Sequence, residues 1–196
     1  MRKPILPFLI LLFAAAALAQ QTDRQIVHNR NAADIAGNYT PQWLGDIAKE
    51  AAYKPSGSPA EQFAHAKSYF EPAAQLQAWL QEGEYRDAVL AGGADEQAIK
   101  KHSTDAAKRL ADAAVLLLTK GGDLVSVAGD IRYLPISITT FSPRAKIATY
   151  ALVALDFGGV GDEAFRTKLE KLGGIIPDPD PSLPGYQEMM APVAGD

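Results

Sequence analysis

Residues 100–118 read KKHSTDAAKRLADAAVLLL. Counting from Ile99, the residues His102, Ala106, Leu110, Ala113 and Leu117 follow at steps of three and four, which is the spacing of one helical face. The stretch therefore predicts a helix, opened by a capping Asp95 and stopped at Gly121-Gly122. Its small alanines suit close approach by a neighbouring helix, so the architecture expected around it is helix on helix.

Outward from this segment the same punctuation recurs. Thr40-Pro41, Ser58-Pro59 and Ser142-Pro143 each place a capping residue before a proline suited to the first helical position. The first pair opens a helix with Trp43, Leu44, Ile47 and Ala51 on one side. The second opens a helix with the stripe Phe63, Ala66, Phe70, Ala73 and Gln77, and Pro72 inside it sets an expected kink or break at Glu71. A short helix from Glu84 to Leu90 precedes Gly92-Gly93. The third pair opens KIATYALVALDF, residues 146–157, which is apolar nearly all round and is expected to be the most buried element. A last helix spans Asp162 to Leu172 and stops at Gly173-Gly174.

Between the fourth and last helices, Leu124, Val125 and Val127 suit a short helix, while Ile136 and Ile138 alternate as in a strand. The fold class is thus mainly α: a small single-domain bundle of five to seven helices, with a short extended segment possible near 131–141. Echoes at 35 to 37 residues, in Trp43-Leu44 and Trp79-Leu80, in Glu61-Gln62 and Glu96-Gln97, and in His28, His65 and His102, suggest a helical repeat as an alternative. The W-x-x-L-G signature of the commonest helix-pair repeat is absent.

The N-terminus carries Arg2 and Lys3, the apolar run ILPFLILLFAAAA at 5–17, and small residues at Ala17 and Ala19. This is the pattern of a secretory signal peptide cleaved after Ala19, and the run falls short of the ~20 residues of a spanning helix. Periplasmic or secreted localisation follows as an expectation, with an uncleaved membrane anchor as the alternative. The expected layout is a signal peptide at 1–19, an arm at 20–39, a helical domain at 40–176 and a proline-rich tail at 177–196.

Of the 19 basic side chains, Arg2 and Lys3 lie in that signal, and the remaining 17 against 23 acidic ones leave a charge of −6. Such an acidic chain has no electrostatic footprint for nucleic acid. With no cysteine, disulfides and thiolate metal sites are excluded and the fold rests on an ordinary apolar core.

Candidate site residues fall into three groups. His65 and Glu61, four residues apart, and His102 and Asp105, three apart, could offer imidazoles and carboxylates to a divalent metal if their helices pack together. Against this, Lys108, Arg109 and Asp112 surround Asp105 at helical spacing and predict a solvated charge ladder. Tyr69 and Trp79 fall off the apolar stripe and are expected on the surface, where aromatic side chains could line a groove for a peptide, lipid or sugar. Arg144 and Lys146 open their helix against its dipole, so they are expected either to pair with acidic residues elsewhere or to face an anionic ligand.

No nucleophile elbow surrounds Ser126, and each glycine pair coincides with a helix end rather than a phosphate loop. Asp178 and Asp180, interleaved with prolines, lack the remaining ligands of a calcium loop. These observations imply an exported helical binding protein, for a protein partner or a small ligand. A metal-dependent enzyme and a helical-repeat scaffold are the alternatives.

Overall fold

The computed structural model describes residues 34–131 and 142–175. The expected signal segment at 1–19, the expected arm up to residue 33, the segment 132–141 with the expected extended stretch, and residues 176–196 with the expected tail lie outside them. Among the described residues there are seven helices and no strand. They are α1 (34–52), α2 (Pro59–Gln81), α3 (Gly83–Ala91), α4 (Glu96–Lys120), α5 (Leu124–Gly129), α6 (Pro143–Phe157) and α7 (Glu163–Gly173). The chain is a small helical bundle, and none of these helices is long and apolar enough to cross a membrane.

Two of the three proline start signals work as their chemistry dictates. Ser58 accepts the Glu61 N–H while the Glu61 carboxylate accepts the Ser58 N–H at 2.7 Å, a complete capping box at the start of α2. Ser142 caps α6 through the Ala145 N–H, and Asp95 caps α4 through the Ala98 N–H. Thr40-Pro41 behaves differently. The helix is already formed at residue 34, and Thr40 is buried in it with its hydroxyl donating to the Ala36 carbonyl at 2.6 Å. A threonine that satisfies its hydroxyl one turn back inside a helix needs no cap role. The sequence signal is the same for both uses, so the expected arm of 20–39 gives way to helix over its last six residues.

Glu71 is not a break either, because α2 runs unbroken through Pro72. Proline has no N–H, so the Ser68 carbonyl is left without its helical partner. Tertiary packing holds the helix together across that gap. One face of α2 buries Ala66, Tyr69, Ala73, Leu76 and Leu80 in the core, and the α4 face carrying Ile99, Ala106, Leu110 and Leu117 is buried there as well. The Ser103 hydroxyl donates to the Ala73 carbonyl at 3.0 Å, bonding backbone on one helix to side chain on the other.

α6 packs against α4 and α7 and buries Ala145, Ile147, Ala148, Tyr150, Ala151, Ala154 and Leu155, nearly half of its residues, in keeping with its apolar sequence. Its opening cation resolves the dipole problem. Arg144 donates to the Leu118 carbonyl at 2.6 Å and the Leu172 carbonyl at 3.2 Å, so its charge sits at the negative ends of α4 and α7. At the other end of α6, Asp156 meets Arg166 of α7. The partners of Arg144 are backbone carbonyls, where carboxylates were one expectation.

Of the repeat echoes, His65 and His102 are each the seventh residue of their helices, α2 and α4, while His28 lies outside the described residues and the other echoes fall at unequal positions. Glu61 is the third residue of α2 and Glu96 the first residue of α4, with α3 intervening. Trp43 and Trp79 stack on each other, with ring centroids 4.8 Å apart.

Candidate functional site

One stripe of α2 is left partly open, with Ser68 and Gln75 exposed and Glu71 and Ala78 half-buried. Ser68, Glu71, Gln75 and Ala78 recur at three, four and three residues, one stripe of that helix. α1 rises along one edge of the stripe with Trp43, Asp46, Lys49 and Glu50. α6 rises along the other with Tyr150, Val153 and Phe157. Together they enclose a groove of about 670 Å³. A smaller hollow of about 390 Å³ continues from it toward α5, sharing Ser68 and Glu71 and reaching Lys67, Val127 and Asp130.

The two walls differ in chemistry. The α1 wall is charged below Trp43, while the α6 wall is apolar and aromatic. Phe70 stands edge-on to both Tyr150 and Phe157 at 6.2 Å, which fixes the rings at the foot of the α6 wall. Glu71, in the groove floor, accepts from the Tyr150 hydroxyl at 3.1 Å and from Lys67 at 3.1 Å. Tyr150 is buried; that burial, and then the charge of Glu71, push its phenol well above its ordinary value. It is a hydrogen-bond donor here and no base.

At the end of α1 nearest α4, the two histidines belong to one chain of contacts. His65 Nδ1 lies 2.8 Å from the buried carboxylate of Glu50, and its ring stacks on Tyr53 at 3.7 Å. Arg109 donates to the carbonyls of Glu50 at 2.6 Å and Ala51 at 3.3 Å, and its cation sits 5.0 Å over the ring of Tyr69. The Tyr69 hydroxyl is 2.8 Å from His102 Nδ1. Burial, and then the charge of Asp105, raise the Tyr69 phenol as well.

The sequence-predicted site residues are placed as follows. Glu61 is held in the capping box, where the Ser58 backbone N–H keeps its carboxyl below the ordinary value. Asp105 pairs with Lys101 at 2.6 Å, one turn back. Among the described residues no group of three or more such side chains is placed to hold a metal, and His65, His102, Glu61 and Asp105 form none. Arg109 leaves the expected surface ladder for the end of α1.

The surface placement of Tyr69 and Trp79 is corrected: they are 2% and 8% exposed. α2 is covered by neighbours over much more than one stripe, so residues beside the stripe are buried too. Trp79 also lies between Trp43 and Tyr85 in a stack, leaving neither face for a ligand. Arg144 is spent on backbone carbonyls, and half-buried Lys146 makes no ion pair among the described residues. None of the eight predicted side chains lines the groove. Its residues left two traces in the sequence: a proline inside a long helix and an acidic residue, Glu71, beside it.

Searches against protein-family models, curated proteins and solved structures gave no match to this chain.

Proposed function

We propose that this is a binding protein that takes a small amphipathic ligand in the groove between α1 and α6. The observation that carries this reading is the pairing of walls: a charged α1 face opposite an aromatic α6 face, across a floor of Ser68, Glu71, Gln75 and Ala78 on α2. A volume of about 670 Å³ falls in the range of small-molecule sites, roughly 300–1,000 Å³, and such sites combine apolar lining with a few placed polar groups. Export through the segment at 1–19 belongs to the same proposal, and an N-terminus at Gln20 in protein recovered outside the cytoplasm supports it.

Trp43 lines the groove and makes intrinsic fluorescence a reporter. A panel of small amphipathic molecules, screened by emission and thermal shift, should yield binders that Ala78→Phe excludes by filling the floor. Binders insensitive to Ala78→Phe, or a panel with no binder at all, would count against the groove.

A further inference from the structure

We infer that the ligand is an organic cation, an ammonium or guanidinium head on an apolar body. This rests on the groove reading above and adds its chemical class.

Three observations point the same way. The groove is lined by Asp46, Glu50 and Glu71 and by Lys49, with Lys67 reaching Glu71 from the adjoining hollow, so acidic side chains outnumber cations by three to two. Pro72 has no N–H to give the Ser68 carbonyl one turn back, and both residues line the groove. Phe157 is 37% exposed beside a Trp43 that is itself stacked on Trp79, and an aromatic face attracts a cation within about 6 Å.

The carboxylates divide the work. Glu71 is fixed by Tyr150 and Lys67, and Glu50 by His65, so their positions are set before any ligand arrives. Asp46 is exposed on α1 and makes no ion pair among the described residues. It is the carboxylate left to meet the head group, while the apolar body lies along Val153 and Phe157. An anionic head would face the same three carboxylates. Its two attractions, Lys49 and Lys67, already lie 4.0 Å from Glu50 and 3.1 Å from Glu71.

The test compares three probes that share one apolar chain, octyltrimethylammonium, octyl sulfate and octyl glucoside, by calorimetry on the full chain below micellar concentrations. The ammonium probe should bind about tenfold tighter than either of the others, the combined worth of one partly exposed charge pair and one cation–π contact. Asp46→Asn, at an exposed position that folding does not depend on, should remove most of that preference, and Asp46→Lys should reverse it. Equal or tighter binding of octyl sulfate or octyl glucoside, still blocked by Ala78→Phe, overturns the cation and leaves the groove standing. Failure of all three to bind, or binding that neither Ala78→Phe nor Val153→Trp disturbs, overturns the groove itself. Circular dichroism of both filled variants shows that any loss of binding is local.

Discussion

The guanidinium of Arg109 on α4 closes the C-terminal end of α1, with Nη1 2.6 Å from the carbonyl oxygen of Glu50. The last carbonyls of a helix have no partners within it, and a cation there meets both the lone pairs and the negative end of the dipole. Arg109 also reaches the Ala51 and Tyr53 carbonyls, so one side chain serves three acceptors. Because α1 forms the charged wall of the groove, this clamp ties the site to the core.

Arg109→Lys should therefore fail as a conservative change. Lysine keeps the charge and loses the fork that spans several carbonyls. A loss of about 1.5–3 kcal/mol is expected, the usual worth of charge-assisted bonds to half-buried groups. Urea denaturation measures it, and hydrogen exchange should show faster exchange concentrated in 34–52. Wild-type stability in the lysine variant would mean that the clamp carries no energy.

Alkaline pH offers a second check, on the groove floor. The Tyr150 phenol is raised above its ordinary value of 10.0 by burial and by Glu71. The unfolded chain therefore loses this proton first as pH rises, and the native state holds it. Stability from this group is complete below pH 10 and declines above it, by at most about 1.4 kcal/mol per pH unit. Tyr69 is shifted the same way and adds a decline of the same sign. Tyr150→Phe should reduce the slope above pH 10 while leaving the Tyr69 share. An unchanged slope in that variant would show that Tyr150 does not titrate late.

Glycine contacts separate packing from propensity. An added Cβ at Gly173 would meet the Ala148 Cβ at 2.5 Å, where α7 crosses α6, whereas one at Gly83 meets nothing within 4 Å. Alanine gains up to about 1 kcal/mol over glycine in a helix, and overpacking costs about 1–3 kcal/mol. Gly83→Ala should raise the midpoint of thermal unfolding and Gly173→Ala should lower it. The same sign at both positions would remove close helix approach as the reason for Gly173.

Much of this bundle was legible because its helices announce themselves locally. Ser58, Asp95 and Ser142 cap where short-range chemistry says they should, and the face from Ile99 to Leu117 is buried as its spacing requires. Thr40 misled because a threonine before a proline reads alike at a helix start and inside a helix. The site was less legible, since its parts are brought together by packing alone. Asp46, Glu71 and Phe157 are distant in sequence, and each is ordinary in its own helix. His65 and His102 looked like a pair because of their spacing. They are joined through Glu50, Arg109 and Tyr69, which no spacing rule connects.

Pro72 sets stability against binding. Inside a helix a proline costs about 3 kcal/mol relative to alanine, through the lost hydrogen bond and the clash of its ring with the preceding turn. α2 stays continuous at this position, so Pro72→Ala should restore the bond to the Ser68 carbonyl and stabilise the fold by about 1–3 kcal/mol, part of the full cost having been relaxed by packing. The same change returns the Ser68 carbonyl to the helical ladder at a point where both residues line the groove. Affinity for octylammonium, whose N–H groups can donate to that carbonyl, should then fall by about tenfold or more, the lower end for one charge-assisted hydrogen bond of roughly 1.5–3 kcal/mol, while octyltrimethylammonium, which has no N–H, should change less. Denaturation and calorimetry on one preparation read both effects. A variant that gains stability and keeps full affinity would assign Pro72 no part in binding, and one that loses stability would show that the helix is built around the proline.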